Sequence, residues 1–263
     1  MNKIDQRLVD IKREKRIGLM THVVVGYPSL SETMSLVKTM TASGVDFLEL
    51  QIPFSDPLAD GPTIMKACED SLSQGTKVKD AFSIMKELSS QVSIPLLFMA
   101  YYNTVFRYGV EEFCRDAYAA GASGLIVPDM PIDEEEYEQF YKFAEKYFLH
   151  AIHVISPAST DERLKKNAAA AHGFVYCTAR QGTTGAKKEI DPQLKVYLKK
   201  VKNIFSIPVA VGFGISKKEH IASLRNNADI AVIGSALIDV IRTTEKKERV
   251  KAVKRFIHDL HVE

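Results

Sequence analysis

Cysteine is scarce in this chain. Cys68, Cys114 and Cys177 are odd in number and lack metal-ligand spacing, which argues against a disulfide framework or a metal cluster and for a reduced compartment. Long apolar runs are missing too: no stretch approaches 18 consecutive apolar residues, and residues 1–16 hold neither an apolar h-region nor a cleavage site. A cytoplasmic protein without a membrane span is expected. Neither sign of charge dominates, since 35 basic and 33 acidic residues leave a formal net charge of +2 with no basic tail or stripe. Nucleic acid is therefore not the expected partner. The local runs Lys12 to Arg16 and Lys246 to Arg255 read as solvated helix faces. No Pro/Gly/Ser linker is long enough to divide the chain, so a single domain over residues 1–263 is expected.

What is present is periodic. A hydrophobic content of 46% is enough for a buried core, and short β-branched or apolar runs recur with amphipathic segments between them. Eight runs read as strands: Leu19–Val25, Asp46–Ile52, Leu96–Tyr101, Gly124–Val127, Leu149–Ile155, Phe174–Thr178, Val209–Gly212 and Ile230–Ile233. Helical period marks Ser31–Ala42, Ala81–Gln91, Val110–Ala120, Glu134–Lys146, Thr160–Ala171, Gln193–Lys202, Lys217–Asn226 and Glu245–Leu260, with an extra helix at about Ile4–Glu14. This α/β pattern fits a single (β/α)8 TIM barrel with an extra N-terminal helix, whose chemistry would sit at the strand C-terminal ends. An open doubly wound sheet is the alternative. It ordinarily begins with a Gly-rich turn after its first strand, and VVVGYPS has one glycine there.

The stretch LELQIPFSDPLADGP, residues 48–62, carries the candidate chemistry. Strand alternation sends Leu48, Leu50 and Ile52 to one side and Phe47, Glu49 and Gln51 to the other. The leucine side suits the helix layer, so Glu49 is aimed into the barrel near its mouth. Low dielectric there would leave it able to give and take a proton near neutral pH, although a glutamate simply satisfied by a tyrosine or backbone amide is the plainer reading. Asp60 lies in a loop stiffened by Pro53, Pro57 and Pro62. Two carboxylates at one mouth, one desolvated and one wetter, suit paired acid/base chemistry. Ser55 and Asp56 read more simply as turn residues or as caps for a helix starting near Pro62.

Glycines on successive loops suggest phosphate. Gly212-Phe213-Gly214 follows the seventh strand, Gly234-Ser235 the eighth, and Gly182-Thr183-Thr184-Gly185 the sixth. Each alone is weak, because turns need glycine anyway, but together on one face they fit a backbone phosphate cradle. The long polar sixth loop, residues 179–192, reads as a lid or as an ordinary surface loop.

LELQIPFSDPLADGPTI resembles the signature of the tryptophan synthase α subunit family. The likeness continues through MAYYNTVFRYG, GLIVPDMP, GFVYCTARQGTTG, VGFGIS and IGSAL, and so covers essentially the whole chain. The resemblance implies a lyase that cleaves indole-3-glycerol phosphate to indole and glyceraldehyde 3-phosphate, with no cofactor in this subunit. It also implies a pyridoxal-phosphate-dependent β subunit as partner, in an α-β-β-α assembly. By the same resemblance Asp60 serves the indole nitrogen, while Glu49 handles protons at C3 and the glycerol hydroxyl. Tyr176 stands near the glutamate and Phe213 walls the indole pocket. Gly185, Gly214, Gly234 and Ser235 cradle phosphate, Thr184 is the lid threonine, and Pro53, Phe54 and Asp56 form the β-facing loop.

The departures from the family pattern are specific. Gln51 replaces a glycine on the same strand face as Glu49, where its amide is expected either to hydrogen-bond that carboxyl or to crowd the indole. His22 replaces an aromatic ring and reads either as a pocket titrator or, more plainly, as a hydrogen-bonded core histidine. Thr21 replaces a proline, Tyr27 an aspartate and Thr104 a proline, which bears on the pocket rim and the β-facing surface. A partner-independent indole-releasing lyase and a weakly active barrel kept to activate the β subunit remain alternatives.

Overall fold

Strands buried on both faces explain the near-continuous apolar runs, because each must cover helices outside and close-packed side chains within. In the computed structural model, which describes residues 1–178, 192–212 and 214–261, eight parallel strands do this. They are β1 (Gly18–Val24), β2 (Phe47–Gln51), β3 (Leu96–Met99), β4 (Gly124–Ile126), β5 in two pieces (His150–Ile152 and Val154–Ile155), β6 (Val175–Thr178), β7 (Val209–Gly212) and β8 (Ile230–Ile233). The spatial order runs β5-β4-β3-β2-β1-β8-β7-β6-β5, so the sheet closes through the two pieces of β5. The expected (β/α)8 architecture is present.

Two apolar layers follow from the alternation. Val23, Leu48, Leu50 and Phe98 pack outward against helices. Met20, Phe47, Leu97, Met99, Ile126, Phe174 and Val232 fill the barrel. The extra N-terminal helix α1 (Lys3–Glu14) contributes Ile4 and Ile11 to this inner layer. Ile11 Cδ1 would lie 2.6 Å from a Cβ on Gly18, the first residue of β1, so α1 plugs the end opposite the strand C-termini.

Two expected helices differ in detail. Residues 134–146 are broken by Gln139, whose φ of 52° interrupts the run between Glu135–Glu138 and Phe140–Lys146. The closing helix starts only at Arg249, after a 3-10 turn over Lys246–Glu248. Short helices at Tyr102–Tyr108 and Ser235–Thr243, named α5 and α12 here, were hidden by their brevity. Between β2 and the next crossover, α3 (Pro62–Ser73) begins with proline at its first position, where a missing N–H costs nothing.

Two basic residues depart from the solvated reading: Arg249, which pairs with Glu32 at 2.7 Å, and Arg16. Arg16 donates from both terminal nitrogens to Asp46, at 2.6 and 2.7 Å, and Arg7 reaches the same carboxylate at 2.6 Å. Asp46 is fully buried and also accepts from the Leu19 amide at 2.7 Å. The hydrogen bond to Asp46 is the largest effect on the Arg16 guanidinium, and it holds the proton more tightly than usual despite partial burial.

The loop after β1 depends on Gly26, whose φ is +82° and whose notional Cβ would lie 2.2 Å from Thr76 Oγ1 and 2.5 Å from Ser71 Oγ. Gly26→Ala should therefore destabilise the protein by about 2 kcal/mol or more in urea unfolding, from backbone strain plus overlap. A loss below about 0.5 kcal/mol would show that the loop shifts freely.

Candidate active site

The mouth of the barrel is assembled from β1, β2, their following loops and strand β6. The β1–β2 register sets His22 directly beside Glu49 and Val24 beside Gln51. His22 Nδ1 lies 3.3 Å from Glu49 Oε1, and both side chains are almost wholly buried. Glu49 Oε2, His22 Nε2 and Gln51 Oε1 are buried without a hydrogen-bond partner. Orphaned polar atoms of this kind are costly unless a ligand or a proton shift uses them.

Asp60 reaches this mouth from the loop after β2. Its Oδ2 accepts from Gln51 Nε2 at 2.7 Å and from the Tyr101 hydroxyl at 2.9 Å. The Tyr101 oxygen in turn accepts from the Ala59 amide at 3.0 Å, and the Asp60 amide donates to the Pro57 carbonyl at 2.9 Å. The loop is thus shaped by its own backbone and pinned by a tyrosine. The expectation that the Gln51 amide would hydrogen-bond Glu49 is corrected: its N–H holds Asp60.

Tyr176 on β6 joins the same group. Burial is the first reason its phenol is pushed well above the ordinary range, and the charges of Glu49 and Asp60 push it further. Burial opposes a charged His22, yet Glu49, then Asp60 and Gln51, raise its proton affinity above the ordinary histidine value. Glu49 and Asp60 therefore act on the same two side chains, one on each side of the mouth. That arrangement allows one group to protonate a carbon while the other takes a proton from a nearby nitrogen or oxygen.

The remaining site residues divide three ways. Gly234 and Ser235 stand where β8 passes into α12 (Ser235–Thr243); a Cβ on Gly234 would meet Ile64 Cδ1 at 3.5 Å and His22 Cβ at 3.8 Å. Gly214 is exposed with φ +79° and open space around it. The α12 N-terminus so close to His22 offers amides and a dipole suited to an anion. Thr184, Gly185 and Phe213, with the rest of residues 179–191, lie outside the described residues. In the β2 loop, Pro53 is buried, Phe54 stacks on Tyr101 at 5.3 Å, and exposed Asp56 accepts from the Ser55 hydroxyl at 2.5 Å. Asp56 is a turn residue and not the helix cap, because Gly61 caps α3.

The other departures sit apart from the acids. Thr21 faces the helix layer, its hydroxyl 3.5 Å from Met40 Sδ, and Tyr27 packs into the outer apolar layer. Thr104 lies half-exposed on α5 (Tyr102–Tyr108). All three cysteines are free and buried, and no cluster among the described residues could hold a metal ion. Burial pushes the Cys68 thiol up to about 12, which removes it as a nucleophile near neutral pH. Among the described residues no helix is long and apolar enough to cross a membrane.

The family model for the tryptophan synthase alpha chain matches residues 8–262. This chain belongs to the tryptophan synthase alpha chain family. A relative of that name from Desulfotalea psychrophila is 45% identical over 238 residues, covering 90% of this chain and 93% of its own. Another, from Caldanaerobacter subterraneus, is 39% identical over 261 residues, covering 99% and 98%. Among solved structures, tryptophan synthase from Mycobacterium tuberculosis superposes with a TM-score of 0.89 at 32% identity, covering 98% of this chain and 96% of that one. Tryptophan synthase subunit alpha from Legionella pneumophila gives 0.89 at 30%, covering 99% and 97%. As a member of the tryptophan synthase alpha chain family, the chain is a lyase of tryptophan biosynthesis that cleaves indole-3-glycerol phosphate.

Tyr101 is the site residue that sequence reasoning passed over. Its signal was available: residues 97, 99 and 101 share one strand parity, so Tyr101 follows two barrel-filling side chains to the mouth.

Proposed function

We propose that Glu49 and Asp60 perform the cleavage at this mouth, with indole held between them. The observation that supports this is their convergence: Asp60 is tied to Gln51, two residues along the same strand face from Glu49, and both charges act on Tyr176 and His22. Breaking the bond between indole C3 and the glycerol chain requires protonating C3, removing the N–H proton and deprotonating the adjacent hydroxyl. Glu49 gives its proton to C3 and takes one from the hydroxyl, so its own balance is zero. Asp60 takes the ring N–H proton and returns it to the departing indole. Tyr176 borders the reacting carbon, Phe213 supplies the ring wall, and Thr184 closes the lid toward Asp60. Gly185, Gly214, Gly234 and Ser235 hold the phosphate by backbone N–H groups, helped by the α12 dipole.

The partner is the family's β subunit, which carries pyridoxal phosphate, in an α-β-β-α assembly; this chain needs no cofactor of its own. Pro53, Phe54 and Asp56 would face it. Leu58, 88% exposed on the same loop, and Phe106, 58% exposed on α5, add apolar surface of the kind a partner covers. The test is indole release from indole-3-glycerol phosphate by the purified chain, alone and with a β subunit. Slow release alone and faster release with the partner are expected. No release in either condition overturns the reading, and a rate indifferent to the partner, with no complex in sedimentation, overturns the assembly.

A further inference from the structure

The two acids are not independent. His22 Nδ1 faces Glu49 Oε1 at 3.3 Å, and Gln51 Nε2 donates to Asp60 Oδ2 at 2.7 Å. Because a carboxylate accepts only, the Gln51 amide is fixed with its N–H toward Asp60 and its oxygen turned elsewhere. That oxygen and His22 Nε2 are each buried without a partner, and the Gln51 side chain lies near enough to favour the protonated ring. A protonated imidazole has two N–H donors, one for Glu49 Oε1 and one for Gln51 Oε1. With Glu49 ionised it satisfies both neighbours at once; with the shared proton on Glu49, the neutral ring does so by accepting at Nδ1 and donating from Nε2.

We propose that His22 and Gln51 are positioning residues that join the acids into one chain, Glu49 to His22 to Gln51 to Asp60, keeping a proton beside Glu49 at neutral pH. This rests on the assignment of Glu49 and Asp60 to the cleavage. The chemistry requires Glu49 to start with a proton for C3. A proton shared with His22 meets that need and returns when Glu49 takes the hydroxyl proton, so the pair is unchanged over a turnover.

The charges acting on His22 are Glu49 from β2 and Asp60 from the loop after it. Beside it, β8 and the loop after it bring Val232, Ile233 and Gly234, and α3 brings Ile64, none of which titrates. Tyr176 across the mouth is held neutral. The proton affinity of His22 is raised, so the shared proton is present below the ordinary histidine range and is lost only as pH rises through the higher value.

In kcat/KM profiles for indole release, the basic limb of the native protein should lie above about 6.5. His22→Phe should move it to lower pH by about one unit, a roughly tenfold loss at pH values above both limbs. His22→Gln keeps a donor but cannot titrate, and should follow His22→Phe. Gln51→Gly should shift the limb the same way by roughly half as much. Superimposable profiles, or a limb moving to higher pH, overturn the proposal. A readout independent of turnover is the His22 ring proton resonance, identified by its disappearance in His22→Phe. Its titration midpoint should exceed about 6.5 and fall in Glu49→Gln; an unchanged midpoint overturns the coupling. Retained turnover in Glu49→Gln would instead remove the underlying assignment, so the two failures are distinct.

Discussion

Glu49→Gln and Asp60→Asn should each lower kcat for indole release by roughly 10²- to 10⁴-fold, with a much smaller change in KM. That corresponds to about 3–5 kcal/mol of lost transition-state stabilisation. Both substitutions are close in shape to the acids they replace. For Asp60 the geometry makes the comparison clean: Gln51 Nε2 and the Tyr101 hydroxyl converge on the one oxygen Oδ2, so an asparagine carbonyl placed there keeps both donors. The loop stays pinned while the charge that receives the ring proton is removed. Glu49→Gln leaves a side chain able to face His22 but unable to transfer a proton. Stimulation of a β subunit that survives Asp60→Asn while turnover is lost separates the catalytic role of this residue from any allosteric one. Turnover persisting near the native rate in Asp60→Asn would refute the role given to that carboxylate.

Strand parity was enough to place Glu49, because a period of two admits only two faces and Leu48 and Leu50 claim the helix side. Asp60 was legible through its loop, since three prolines restrict where the backbone can carry it. The partner of Gln51 was not legible. Residues 49 and 51 share a face, yet two strand residues rise by about 6.6 Å, too far for an easy hydrogen bond along the strand. Asp60 comes closer only because the loop folds back and Tyr101 anchors it, a contact across 41 positions that no local pattern encodes. His22 is buried, as the plainer reading expected, but its partner was not legible for a similar reason: the β1–β2 register sets Glu49 beside it. The sixth loop, with Thr184 and Gly185, and Phe213 lie outside the described residues, so their roles rest on the family pattern.

That register has its own lock, and breaking it should give the largest loss of stability. Asp46→Asn is expected to destabilise the protein by about 3 kcal/mol in urea unfolding, the low end for breaking a buried ion pair, and to lower Tm by roughly 6–12 °C. The low end applies because Arg7 and Arg16 keep 28% and 32% of their side chains exposed and can recover some hydration, whereas Asp46 has none. Asp46 is bound to β1 through both its side chain and its backbone: its carboxylate Oδ2 accepts from the Leu19 amide at 2.7 Å, and its own amide donates to the Leu19 carbonyl at 2.8 Å. From that point the strands run in step through Met20 beside Phe47 to His22 beside Glu49. A slip of one residue would turn Glu49 toward the helices and Leu48 or Leu50 into the mouth. The two guanidiniums at the closed end of the barrel therefore help decide which side chains meet at the open end. Folded Asp46→Asn at low temperature should keep nearly native turnover, since the remaining ladder still holds the register. A stability loss below about 1 kcal/mol would show instead that the apolar layers fix the register without this carboxylate.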